Sequence, residues 1–230
     1  FSNSNNDFIE KRNLDTLIQK IILADGTTVT LYPFSILRYP KEFESTKREV
    51  YLAGKAFFDV VKNVKKPFWV YTDHISTQVL GTSFLVNSMK NKNVSVEVKT
   101  GKVSVYTRKD QERAKQNLYK ESVGVVLTPN QKVDYSTQEE RLLKSIVEQP
   151  VALINLPITD FIFDEEPVSE AFSLLERMYG ITVIFDNKAM ENCYLTANLS
   201  DESLFKKLCA THLDLFTCLT SRGYCLLPLS

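Results

Sequence analysis

From Leu17 onward the chain alternates apolar and polar positions in short runs, and this period of two predicts β-strands. Ile21 and Leu23 alternate with polar neighbours, Asp25-Gly26 supplies a turn that tolerates positive φ, and Val29 and Leu31 alternate again, which predicts a hairpin. SILRY, bracketed by Pro33 and Pro40, reads as a short strand, and the charged KEFESTKRE after it as a surface loop. EVYLAGKAFFDV (Glu49–Val60) and VLGTSFLVNS (Val79–Ser88) each alternate around a lone glycine, so both are expected to be half buried and to turn sharply at Gly54 or Gly81, in the middle of one β-core. FWVYT, ISTQVLG, NVSVEVK and KVSVYT add strands at close spacing. Val94, Val96 and Val98 face one way and Ser95, Glu97 and Lys99 the other, with Thr100-Gly101 turning the chain into Val103 and Val105 as in a hairpin. Residues 108–120 are charged and lack an apolar stripe, so an exposed excursion is expected there. SVGVVLTPNQKVDY returns to strand around Pro129-Asn130. Strands with glycine or proline about every ten residues favour a two-sheet sandwich or β-roll over βαβ units.

The period then changes. FIFDEEPVSEAFSLLERMYGITVIF (Phe161–Phe185) and LTANLSDESLFKKLCATHLDLFTCLT (Leu195–Thr220) share one order: a strand, an acidic corner, an amphipathic helix and a second strand. In the first copy Val168, Phe172, Leu175 and Met178 share a helical face that Pro167 opens and Gly180 closes. In the second, Ser200 or Asp201 caps and Leu204 and Leu208 follow at helical spacing. The expected fold is therefore mainly β plus α+β: a β-sandwich or roll followed by a small βαβ-repeat domain. Residues 1–13 read as a tether, 14–140 as the β domain, 141–160 with Pro150 and Pro157 as a linker, and 161–230 as the small domain. Residues 1–140 and 158–230 are expected to fold separately.

Charge removes one class of function. Lys+Arg and Asp+Glu both number 28, so no basic field is available to draw in a phosphate backbone, and nucleic acid is not an expected partner. No run approaches the roughly eighteen apolar residues that span a bilayer. The start at Phe1, without methionine and followed by polar SNSNND, leads to the expectation that an anchor or targeting segment precedes it.

Candidate chemistry is sparse. Asp164, Glu165 and Glu166 are carboxylates before a proline-started helix, better explained by the helix dipole than by acid/base work. Asp73 and His74 are strand neighbours that point to opposite faces, so they cannot orient one another. Gly81-Thr82-Ser83 lacks the setting of a nucleophile elbow, and the seven glycines are scattered singly. Cys209 and His212 are i, i+3, but Cys218 and Cys225 lack the short CxxC spacing of zinc sites. These three cysteines and Cys193 are expected as buried small hydrophobes, or with one disulfide if the compartment oxidises. Phe57, Phe58, Phe68, Trp69, Tyr71 and Phe84 are expected as core rather than as a sugar-stacking platform. No catalytic residue, metal or cofactor is assigned. The terminal hairpin LFTCLTSRGYCLL is expected to place a strand at a sheet edge, with Phe216, Cys218 and Leu219 as partner-binding residues.

LADGTTVTLYPFSILRY (Leu23–Tyr39), EVYLAGKAFFDV, PFWVYT, VLGTSFLV and VKTGKVSVY (Val98–Tyr106), in this order, resemble the periplasmic part of FecR-type transmembrane anti-sigma factors of gut Bacteroidetes. DEEPVSEAFSLLERMYGITVIFD is similar to the domain that follows in such proteins, itself like the short N-terminal signalling domain of secretins and TonB-dependent receptors. The resemblance implies a non-enzymatic sensor half, periplasmic and anchored in the inner membrane. It would relay a signal from a TonB-dependent outer-membrane receptor, whose N-terminal domain it would contact, to a sigma factor reached through a preceding helix and cytoplasmic segment. A non-catalytic carbohydrate-binding or structural module of the cell envelope is the alternative.

Overall fold

Strand β5 (Arg48–Asp59) belongs to two sheets, and the first part of the fold follows from that. The computed structural model describes residues 8–89, 94–111, 124–155, 157–200, 203–204 and 206–208. They fall into two compact units, Phe1–Val147 and Glu148–Ser230. In the first unit the strands are β1 (Phe8–Asn13), β2 (Gln19–Ile22), β3 (Thr28–Leu31), β4 (Ser35–Pro40) and β5, then β6 (Phe68–Tyr71), β7 (Ile75–Val79) and β8 (Ser83–Ser88). They continue as β9 (Val94–Thr100), β10 (Val103–Thr107), β11 (Val125–Leu127), β12 (Gln131–Ser136) and β13 (Arg141–Ile146).

The first half of β5 pairs with β4 and, in parallel, with β6, which continues to β7, β10 and β11, while β1 lies beyond β4. Its second half pairs with β3 and β8, and β8 continues to β9, β12 and β13. The two sheets face each other, because one apolar cluster draws from both: Leu37, Val50, Phe68, Val70 and Val103 from one, Val29, Phe58, Phe84, Val96 and Val133 from the other. Phe58 stacks on Phe84 at 5.3 Å and meets Phe68 at 6.1 Å, tying the sheets through aromatic contacts. A sandwich with a shared corner strand is the outcome.

The corner is Gly54, at φ +106. Here the ladder is completed by hydroxyls: Ser35 Oγ accepts from the Lys55 amide at 2.8 Å, and Ser88 Oγ accepts from the Gly54 amide and donates to its carbonyl. The expected hairpin at Asp25-Gly26 is present, β2 pairing antiparallel with β3. The turn at Thr100-Gly101 is different from expectation. β9 and β10 lie in opposite sheets, so it is an arch across the sandwich, as are the connections at Gly81 and at Pro129-Asn130. Alternation fixes which residues face inward but not which strand is the neighbour.

Two boundaries are corrected. Residues 8–13, expected as tether, form β1, paired with β4 along its whole length; Asn13 is buried and its amide donates to Leu17 O and Leu31 O. Residues 141–146, expected as linker, form β13, which pairs with β12 at six positions. Among the described residues both are edge strands with one ladder partner and little buried surface, so their sequences carry almost no apolar period. A fragment ending at residue 140 would strip β12 of one of its two neighbours, leaving it paired with β9 alone. The excursion expected at 108–120 lies largely outside the described residues.

The second unit holds a turn of 3-10 helix (Ile158–Phe161), β14 (Ile162–Pro167), α1 (Val168–Tyr179), the short α2 (Asn187–Met190) and β15 (Tyr194–Asn198). α1 buries Val168, Ala171, Phe172, Leu174, Leu175 and Tyr179 on one side, with Met178 half-buried. It ends at Gly180, whose left-handed backbone (φ 64) lets its N–H return to Glu176 O. The strand expected at ITVIF is absent: residues 181–186 are irregular, the amide of Val183 being taken by the Glu176 carboxylate. β15 pairs antiparallel with β14 rather than parallel as in a βαβ unit.

Candidate functional site

β14 and β15 form a two-stranded sheet, so among the described residues each has one ladder partner. Their outer edges differ in chemistry. β14 is interrupted by a register shift between Phe163 and Glu166, with Glu165 at φ +52, carries Asp164, Glu165 and Glu166 in succession, and ends at Pro167. A bulge, a run of like charge and a proline are the features that blunt an edge against pairing. A groove of about 610 Å³ runs beside it, lined by Asp160, Glu166 and Glu170 with Arg177.

β15 has none of these features. Its residues are Tyr194-Leu195-Thr196-Ala197-Asn198, with no charge and no proline. The Leu199 N–H donates to Phe161 O and the Val168 N–H to Cys193 O. Residues 193, 195, 197 and 199 therefore aim their backbone polar groups at β14, and those of Tyr194, Thr196 and Asn198 point away from it. Leu195 is buried and Tyr194 is 60% exposed, so the strand is anchored by one face while the other is wet. Among the described residues this is the open edge of the second unit.

The strand starts next to Cys193, which is buried and disulfide-bonded. Of the two outcomes expected for the cysteines, the disulfide is found at this one. The other three cysteines and His212 lie outside the described residues, as do Phe216, Cys218 and Leu219. We expect reduction to destabilise the second unit by ~2–5 kcal/mol. Trp69, the sole tryptophan, sits in the first unit, which holds no cysteine. Thermal melts with and without reductant should therefore move the helical far-ultraviolet signal while leaving tryptophan fluorescence in place.

Asp164, Glu165 and Glu166 lie on β14, ahead of the helix rather than in its first turn, which holds Glu170. His74 stacks on Tyr135 at 5.3 Å, while Asp73 is exposed. Ser83 Oγ donates to Asp59 Oδ1 at 2.7 Å, which braces β5 and β8.

The aromatic expectation divides. Phe58, Phe68, Phe84 and Tyr71 are buried, Tyr71 on the opposite side of its strand from Phe68, while Trp69 is half-buried beside it and Phe57 is half-buried beneath the Lys99 ammonium. Alternation puts Trp69 and Tyr71 opposite Phe68 and Val70. They belong to a ladder: Tyr51 stacks on Tyr71 at 5.3 Å, Tyr71 on Trp69 at 5.9 Å, and Trp69 meets Tyr106 at 6.0 Å. Tyr51 and Tyr71 pair across strands while Tyr71 and Trp69 lie two apart on β6, so the rings cover one another in part. The Tyr71 hydroxyl donates to Glu49 Oε1 at 2.8 Å. Burial first, and then this carboxylate, raise the Tyr71 pKa well above the usual phenol range, so it remains a neutral donor.

Residues 15–115 match FecR protein, and residues 160–212 match FecR, C-terminal. The chain belongs to the FecR family. Two crystal structures of a candidate anti-sigma factor from Parabacteroides distasonis ATCC 8503, at 2.50 Å and 1.65 Å resolution, are similar to it over nearly the full length. Each is 27% identical with a TM-score of 0.53, and the alignments cover 90% and 89% of this FecR chain and 91% of each of those chains. No curated protein matches it. Among the described residues no helix is long and apolar enough to cross a membrane.

Proposed function

We propose that this FecR chain is the extracytoplasmic, non-catalytic sensor half of a transmembrane anti-sigma factor. It lies in the periplasm, is anchored in the inner membrane by a segment outside the present sequence, and relays to a sigma factor the state of a TonB-dependent outer-membrane receptor. The family match and the likeness to a candidate anti-sigma factor support the regulatory role. The observation that carries the docking proposal is the outer edge of β15, a neutral strand whose backbone groups at Tyr194, Thr196 and Asn198 point away from its only ladder partner among the described residues. Exposed edges pair readily with a partner's strand, and the hydrogen-bond ladder supplies affinity while alternate side chains supply specificity. The receptor's N-terminal signalling domain adds a strand to the second unit. Phe216, Cys218 and Leu219 remain proposed partner contacts alongside this edge.

Proline cannot donate a ladder hydrogen bond, and it is tolerated as the first residue of a strand. Tyr194→Pro should therefore leave the β14–β15 pairing in place and weaken receptor binding by at least about tenfold, the loss of about one hydrogen bond to a rigid ladder. Calorimetric titration of the whole chain with the receptor's N-terminal domain measures it, with Thr217→Pro testing the terminal hairpin in the same way. Binding that survives both substitutions, in chains whose circular dichroism is unchanged, would reject strand addition here.

A further inference from the structure

On the outer face of the sheet that carries the aromatic ladder lies a pocket of about 330 Å³, between the first half of β5, β4 and the residues just after β10. Arg38 and Arg108 both line it. Each guanidinium is laid on an aromatic ring: Arg38 is 4.5 Å from the centre of Phe8, and Arg108 is 5.0 Å from that of Tyr71. Stacking fixes the plane of a guanidinium and leaves its N–H fork free at the edge. Among the described residues neither arginine is ion-paired with a carboxylate, although Glu49 stands close by, engaged by Tyr71 and by Lys47 at 2.9 Å. Two pre-oriented forks facing one cavity match a ligand oxyanion, which arginine takes bidentately.

The other polar groups narrow the class. Asp73 is exposed at the pocket and makes no ion pair among the described residues, so the cavity is a site of mixed sign rather than a polyanion cradle. An acceptor-only carboxylate needs donors on the ligand, such as hydroxyls. Tyr51, 39% exposed, adds a phenol whose hydroxyl has no protein partner among the described residues. The volume sits at the lower end of small-molecule sites and has room for a single sugar ring. We infer that this pocket binds a small polyhydroxylated carboxylic acid of sugar-acid type, its carboxylate between Arg38 and Arg108 and its hydroxyls on Asp73 and Tyr51. The site lies in the first unit, apart from the strand edge proposed for the receptor, and neither proposal depends on the other.

The test is an NMR titration of the isotope-labelled whole chain with D-glucuronate, beside glucose, acetate and inorganic phosphate. Saturable shifts at Arg38, Tyr51, Tyr71 and Asp73 with glucuronate, at least about tenfold tighter than with the other three, are expected from the charge-assisted bonds and the hydroxyl contacts together. Arg38→Gln and Arg108→Gln should each weaken glucuronate about tenfold or more, and Arg38→Lys, which keeps the charge but loses the fork, should weaken it too. The wild-type comparison of four ligands needs no variant, so a misfolded substitution cannot mask the answer. Absence of saturable shifts at tens of millimolar glucuronate, equal binding of glucose, acetate or phosphate, or unchanged affinity in both glutamine variants would overturn the assignment.

Discussion

Gly54→Ala should be among the most damaging single substitutions in this chain, costing on the order of 4 kcal/mol. Two effects add. At φ +106 an L-residue with a side chain is strained by about 1–3 kcal/mol. A Cβ built there would also stand 2.4 Å from Ser35 Oγ and 2.7 Å from Ser35 Cα, the latter a backbone atom that cannot rotate away. β4 would have to move off β5 at the position where β5 passes from one sheet to the other, and the Ser35 and Ser88 hydroxyl bonds would be lost with it. Gly26→Ala is the internal control. It shares the positive φ, at +84, but its Cβ would meet nothing nearer than Val61 Cγ2 at 3.5 Å, so only the backbone strain of about 1–2 kcal/mol is expected. Urea denaturation followed by Trp69 fluorescence measures both. Equal losses at the two glycines would mean that the close approach of β4 to β5 does not hold the corner.

The second large effect concerns a charge in the interior. Arg48 is 1% exposed, and its guanidinium bonds to Asp25 Oδ2 at 2.6 Å, to Lys66 O at 2.9 Å and to Val61 O at 2.9 Å, above the ring of Phe68. It thus ties the β2–β3 turn to the segment between β5 and β6. Asp25→Ala would strand a buried cation and should cost about 3–5 kcal/mol. Arg48→Met should cost less, about 2–3 kcal/mol, because Asp25 keeps its bonds from the Thr27 amide and hydroxyl. The double replacement should be less damaging than the sum of the singles by about 1–3 kcal/mol, since the unpaired charge is then gone. Additive losses in a double-mutant cycle would show that the pair is not coupled.

How legible such features are in the sequence depends on how much apolar surface each residue buries. β5, β8, β9 and β10 bury every second side chain, so their alternation alone announces strands, the inward residues and a mainly β fold. β1 and β13 bury little, and Phe8–Asn13 and Arg141–Ile146 therefore read as tether and linker although both are paired throughout. The exchange of β5 between sheets is marked only by Gly54, and a lone glycine in a strand is equally consistent with a bulge. Arg48 gives no signal, because its partner Asp25 lies twenty-three residues away and is accounted for by its turn. At ITVIF propensity favours a strand where the Glu176 carboxylate captures the backbone instead. The outward side of β15 cannot be found by composition: what distinguishes Tyr194–Asn198 is the parity of its backbone groups against β14, which appears only once the register is known. The arginine pocket joins Arg38 and Arg108, seventy residues apart, through strand order alone.

Hydrogen–deuterium exchange on the whole chain, with and without the receptor's N-terminal domain, tests the central claim most directly. Strand addition buries the outward amides of the docking edge and slows their exchange. New protection is expected within 161–230, at Tyr194, Thr196 and Asn198, with little change from Phe8 to Val147. Protection confined to the β-sandwich, with residues 194–198 exchanging as fast as in the free chain, would contradict it.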